Sequence, residues 1–186
     1  MRRAIILHGT MGSPQGNWFL WLSKQLQNRG LEIWLPQLPN SNNPSLREWK
    51  EFVINECPFE IDSNTMLIGH SSGAICATIL AQLLQNVGAV IGVSVFCDNS
   101  LDWDPNSRLF DIEFDWPKLR QISKKILYIH SDDDPYVPLE KAEFVARESG
   151  AELLLWPNQG HFNLEKDQKY SEFPKLLNEL ILRKLA

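Results

Sequence analysis

The sequence predicts a three-layer α/β/α sandwich on about six mostly parallel strands, and three observations predict it. Short apolar or β-rich runs alternate with helix-forming segments. Most of those runs are continuous rather than alternating in polarity, as strands covered on both faces must be. Glycines 30, 88 and 150 fall where the intervening helices should end. The strands are expected at residues 3–7, 31–35, 65–68, 89–96, 125–129 and 152–156. The first, Arg3-Ala4-Ile5-Ile6-Leu7, stops at a His8-Gly9 turn. Trp18, Trp21, Leu22 and Leu26 then recur at helical spacing. After the second strand, Pro36, Pro39 and Pro44 with Asn40, Asn42 and Asn43 mark a loop. The third strand runs through a glycine-rich turn into residues 74–84, a strong helix former, and a short helix is expected over 116–122. Phe144 and Val145 sit inside a helix over 139–149, and an amphipathic helix over 173–185 closes the chain.

The 186 residues, 44% hydrophobic and 22% charged, suit one domain spanning 1–186 with a substantial core. The first apolar run ends after four residues, too short for the hydrophobic region of a signal peptide. The longest mostly apolar stretch, 89–97, is about half of the roughly 20 residues a membrane helix needs. Cys57, Cys76 and Cys97 are odd in number and lack C-x-x-C spacing, which argues against a disulfide framework or a zinc site. A soluble protein of the reducing cytoplasm is the expectation. A net charge of −5 without a Lys/Arg cluster excludes the basic footprint of nucleic-acid binding.

Thr65-Met66-Leu67-Ile68 leads directly into Gly69-His70-Ser71-Ser72-Gly73 and then Ala74-Ile75-Cys76-Ala77. That is strand, G-x-S-x-G and helix in the order of the α/β-hydrolase nucleophile elbow. The elbow lifts its serine on a strained turn to the carboxyl end of the sheet, so Ser71 is the candidate nucleophile. The competing reading is a Gly/Ser turn that merely caps a helix. Ser72 begins the helix, where its backbone N–H can stabilise an oxyanion. His70 is a packed or capping residue rather than the base, because neighbours on a tight turn point apart.

A serine hydroxyl needs a base, and the base needs an acid to fix its tautomer. The chain order Ser, acid, His leaves His130 and His161; His130 precedes the acidic cluster, so His161, in the loop after the sixth strand, is the candidate base. The fifth strand runs into Asp132-Asp133-Asp134-Pro135-Tyr136-Val137-Pro138. Asp134 is favoured because D-P-Y-V-P resembles the acid loop of many α/β-hydrolases; Asp133 is the alternative, and Asp132 is assigned to the turn. The second oxyanion donor should come from the loop after the first strand, the backbone N–H of Thr10 or Met11.

Leu7-His8-Gly9, Asn17-Trp18 with Trp21-Leu22, Ile68-Gly69-His70-Ser71-Ser72-Gly73-Ala74, Asp133-Asp134-Pro135 and Gly160-His161-Phe162 together resemble the small serine hydrolases related to retinoblastoma-binding protein nine and the bacterial YdeN-like proteins. The resemblance spans nearly the whole chain. It implies an α/β-hydrolase fold without a cap domain, a Ser71, Asp134, His161 triad and no particular substrate. Residues 98–124, where larger α/β-hydrolases insert a cap, leave room only for a loop and a short helix.

Trp18, Trp21, Trp103 and Trp116 are candidates to line an acyl pocket, against the commoner role of such spacing in a core. Cys97 reads as a small buried residue, since no histidine is placed to serve it. Asp102, Asp104, Asn106 and Glu113 echo a calcium loop, but Ser107 replaces the turn glycine and Pro105 stiffens the segment, so a solvated loop is expected. The sequence therefore predicts hydrolysis of a small-molecule ester or related acyl substrate, with no metal or organic cofactor and plausibly as a monomer. The alternative is a module that binds a protein partner on the same fold with little catalysis.

Overall fold

In the computed structural model, strands β1 (Arg3–Leu7), β2 (Glu32–Trp34), β3 (Thr65–His70), β4 (Ala89–Val93), β5 (Ile126–His130) and β6 (Glu152–Leu155) form one sheet. Their order is β2-β1-β3-β4-β5-β6, and every neighbouring pair is parallel. The structure describes residues 1–98 and 108–186; Trp103 and the acidic segment 102–107 lie outside them.

Helices α1 (Phe19–Gln27) and α6 (Pro174–Leu182) cover one face. Phe19, Leu22 and Leu26 of α1 and Leu176, Leu177 and Leu180 of α6 pack there on Ala4, Ile6, Met66 and Ile68. Helices α2 (Leu46–Glu56), α3 (Ser72–Leu84), α4 (Trp116–Gln121) and α5 (Leu139–Ser149) cover the other, against Ile5, Leu7, Leu67 and Val90. Successive side chains of β1 and β3 thus point to opposite cores, which is why those strands read as unbroken apolar runs. A nine-residue helix such as α6 is too short to persist alone in water, so its leucine face on the sheet is what holds it.

Most strand and helix ends shift by a residue or two from the sequence reading, and three differences are larger or change what a residue does. β4 stops at Val93 instead of 96: Ser94 adopts φ 56° and donates its N–H to the Ile129 carbonyl at 2.9 Å, leaving Val95 and Phe96 buried in a loop. α3 ends at Leu84 and is capped by Gln85, itself left-handed at φ 53°, while Gly88 instead leads into β4, its N–H on the Thr65 carbonyl. Helix α2 was absent from the sequence reading. Its signal is Ser45, whose hydroxyl accepts the Glu48 N–H at 3.1 Å, followed by Leu46, Trp49 and Val53 on the buried face.

β1 and β3 are neighbours, and the crossover from β1 runs to β2 on one side while that from β3 runs to β4 on the other. The crevice beyond the carboxyl ends of β1 and β3 is the topological switch point, the usual ligand position in an open α/β sheet.

Candidate active site

Between β3 and α3 the chain turns on one residue, Ser71, with φ 55° and ψ −124°. A non-glycine residue there stores about 1–3 kcal/mol of strain, held in place by its surroundings. The Ser71 N–H is donated to the Val93 carbonyl at 2.8 Å, and its own carbonyl accepts the Ala74 N–H at 2.8 Å. Both motif glycines are required sterically. A Cβ on Gly69 would stand 2.2 Å from the Gly73 carbonyl oxygen, and one on Gly73 would stand 2.2 Å from that of Leu7. Ser71 is 7% exposed.

The loop after β1 abuts this turn: a Cβ built on Gly9 would stand 3.0 Å from the Ser71 Cβ. The two loops are tied by a 2.6 Å hydrogen bond between the Thr10 and Ser72 hydroxyls. Ser72 opens α3, so its N–H has no acceptor within the helix. Of the two candidate donors on the β1 loop, the Met11 N–H is engaged by the Ser41 carbonyl at 2.7 Å, which leaves Thr10. His8 braces the loop from inside the fold. Its Nδ1–H donates to the Gly9 carbonyl at 2.9 Å and its Nε2 accepts the Leu38 N–H at 3.0 Å. Burial holds His8 below the usual imidazole pKa.

The three aspartates after β5 divide their work over one facing loop. Asp132 accepts the Asn158 N–H at 2.9 Å, Asp133 accepts the Gly160 N–H at 2.7 Å, and Asp134 accepts His161 Nδ1–H at 2.8 Å. Only Asp134 reaches an imidazole. Its side chain is fully buried and also accepts the Ser94 hydroxyl and the N–H groups of Tyr136 and Val137, at 2.9, 2.9 and 3.0 Å. Burial alone would raise its pKa; the bond and attraction to His161 and the two amides outweigh that and hold the carboxyl below its usual range. Ser94 escaped the sequence reading because it was placed within β4, although a polar residue in that apolar run was the available signal.

With Nδ1 on Asp134, His161 has Nε2 left to exchange a proton. The edge of its ring meets Tyr136, centroids 5.0 Å apart, and His70, the residue before Ser71, lies 4.8 Å away. No hydrogen bond joins the Ser71 hydroxyl to His161 among the described residues; such contacts commonly close only around bound substrate. His70 is buried, and its Nε2–H donates to the His161 carbonyl at 2.8 Å. Burial pushes its pKa down to about 3, so it is neutral. His130 points its Nε2–H at the Val137 carbonyl and takes no part in the Asp134–His161 bond.

Trp18 is fully buried in the core under α1 and α6, whereas Trp21 is half-buried against that cluster and Trp116 is half-buried against the other core, stacked on Phe114. A cavity of about 600 Å³ instead adjoins the β1 loop, lined by residues 37–43 and Arg108. Burial raises the Cys97 thiol to about 11, unsuited to a nucleophile. Among the described residues no group of three or more His, Cys, Asp or Glu side chains is placed to hold a metal ion, and no helix is long and apolar enough to cross a membrane.

A hydroxyl on a strained turn, an imidazole oriented by a buried carboxylate and free backbone N–H groups are the parts that acyl transfer needs. The family model described as "Serine hydrolase" matches residues 4–181. The putative hydrolase YdeN of Bacillus subtilis is 29% identical over 93% of this chain and 91% of its own. The serine hydrolase RBBP9 of Rattus norvegicus is 30% identical over 86% of this chain and 87% of its own. The crystal structure of the B. subtilis ydeN gene product superposes with a TM-score of 0.86 at 26% identity, covering 97% of each chain.

Proposed function

The chain belongs to the serine hydrolase family, and from that premise we propose that it cleaves a carboxylic ester or related acyl substrate through Ser71, His161 and Asp134. The observation that carries the reading is the pairing of His161 Nδ1 with the buried Asp134 at the sheet edge where Ser71 stands. Ser71 Oγ attacks the carbonyl carbon while His161 Nε2 takes its proton, and Asp134 stabilises the imidazolium. The N–H groups of Ser72 and Thr10 receive the oxyanion; loss of one such donor typically costs about two to three orders of magnitude in rate. Collapse expels the leaving group, which takes the proton from His161. Water, deprotonated by the same nitrogen, then attacks the acyl-enzyme and releases the acid and Ser71.

Carboxylic esters are the first substrate class, with thioesters and small amides behind. The mechanism requires no metal or organic cofactor, and three free cysteines suit the cytoplasm. A series of p-nitrophenyl esters of rising chain length tests the proposal. Turnover of at least one member by the wild type, abolished in Ser71→Ala, supports it. Equal rates in the two proteins would overturn it.

A further inference from the structure

The loop that carries His161 is held from the opposite side by two buried aromatic N–H groups, and we propose that His70 and Trp18 are positioning residues for the base. The role rests on the reading of His161 as that base. Phe162, directly after His161, sits at φ 52°, a conformation that bulky side chains rarely adopt and that the surroundings must enforce. Two consecutive carbonyls flank that strained backbone, and both are satisfied by side chains from distant parts of the chain. His70 Nε2–H donates to the His161 carbonyl at 2.8 Å, and Trp18 Nε1–H donates to the Phe162 carbonyl at 3.0 Å. Two residues on, the Leu164 N–H reaches Asn17 Oδ1 at 3.0 Å. His70 and Trp18 are both buried, so water cannot replace either donor.

From the other side, Asp133 and Asp134 grip Gly160 N–H and His161 Nδ1–H. The imidazole is thereby fixed between an acidic loop and an aromatic shelf. His70 adds a direct link, because it precedes Ser71: the turn that presents the hydroxyl also bonds the backbone of the base. Loss of either donor orphans a buried carbonyl and frees Phe162 to relax toward negative φ, which swings the His161 side chain off Asp134. Displacement of a catalytic group by about 1 Å can cost on the order of a hundredfold in rate.

The test compares His70→Phe, which keeps a ring and removes the donor, with His70→Gln, whose amide N–H reaches toward the same carbonyl. Hydrolysis of p-nitrophenyl acetate gives kcat and KM, hydrogen exchange of the segment 157–165 reads the loop independently of activity, and thermal melting confirms folding. In His70→Phe, kcat should fall about 10- to 100-fold with KM unchanged, and exchange in 157–165 should quicken. His70→Gln should stay within about threefold of wild type. A folded His70→Phe with wild-type kcat and exchange overturns the proposal, as does a His70→Gln impaired as much as His70→Phe, which would point to ring packing alone. Should His70→Phe not fold, Trp18→Phe is read by the same criteria. His161→Ala separates the two layers: hydrolysis unaffected by that change would refute the assignment of the base, while exchange in 157–165 still decides whether His70 holds the loop.

Discussion

Replacing Asp134 by Asn changes one atom at a fully buried, fully engaged carboxylate. The wild-type group accepts from four donors: the Ser94 hydroxyl, the Tyr136 and Val137 amides and His161 Nδ1–H. An asparagine oxygen placed toward the two amides, where Oδ1 now sits, turns its NH2 toward Ser94 and His161. His161 Nδ1 must then accept, which moves the ring proton to Nε2 and removes the lone pair that would take the Ser71 proton. The comparable change in a serine protease lowers kcat by about 10⁴. That corresponds to roughly 5.5 kcal/mol of transition-state stabilisation, far more than one altered hydrogen bond, because the wrong tautomer disables the base. Asp133→Asn removes nothing from His161; its Oδ1 serves the Ser131 hydroxyl and the Gly160 N–H, so activity should fall by less than about tenfold. Initial rates with an activated ester, measured beside melting curves for both variants, separate the two. Abolition by Asp133→Asn with retention in Asp134→Asn would refute the argument.

Ser71→Gly should abolish hydrolysis and yet unfold at higher denaturant than Ser71→Ala, by about 1 kcal/mol, because only glycine relieves the φ 55° strain; equal midpoints would contradict it. Gly73→Ala should fail to fold or lose several kcal/mol, since the new methyl would lie 2.2 Å from the Leu7 carbonyl oxygen, and soluble yield with circular dichroism checks this. Acid should destabilise the fold in the window set by His70. Its folded pKa of about 3 lies below the unfolded 6.5, so between those values the unfolded chain binds the extra proton and stability is lost as pH falls, by about 1.4 kcal/mol per unit. Urea unfolding from pH 7 to pH 4 measures it, and the slope should shrink in His70→Gln.

Much of this was legible because the fold's punctuation is chemical. Ser71 was readable from a strand, five residues and a helix, and the two motif glycines are explained by carbonyl oxygens 2.2 Å from where their side chains would be. The sheet was readable from apolar runs, with ends that slipped where the backbone turned while the side chains stayed apolar, as at Val95 and Phe96. Helix α2 hid behind a Pro/Asn-rich loop, its start marked by one serine. Asp134 was favoured over Asp133 on the D-P-Y-V-P pattern alone; what separates the three aspartates physically, which atom of the 158–161 loop each one faces, is carried by no local signal. The bonds from His70 and Trp18 to the His161 loop join residues 91 and 144 positions apart, which no local pattern encodes.

The central claim is that the Ser71 hydroxyl is the activated nucleophile, and a fluorophosphonate probe followed by intact mass and peptide mapping tests it most directly. The account predicts one adduct per chain on the peptide containing Ser71, absent from Ser71→Ala and strongly slowed in His161→Ala. A folded wild type that stays unlabelled, or a Ser71→Ala protein labelled like the wild type, would contradict it.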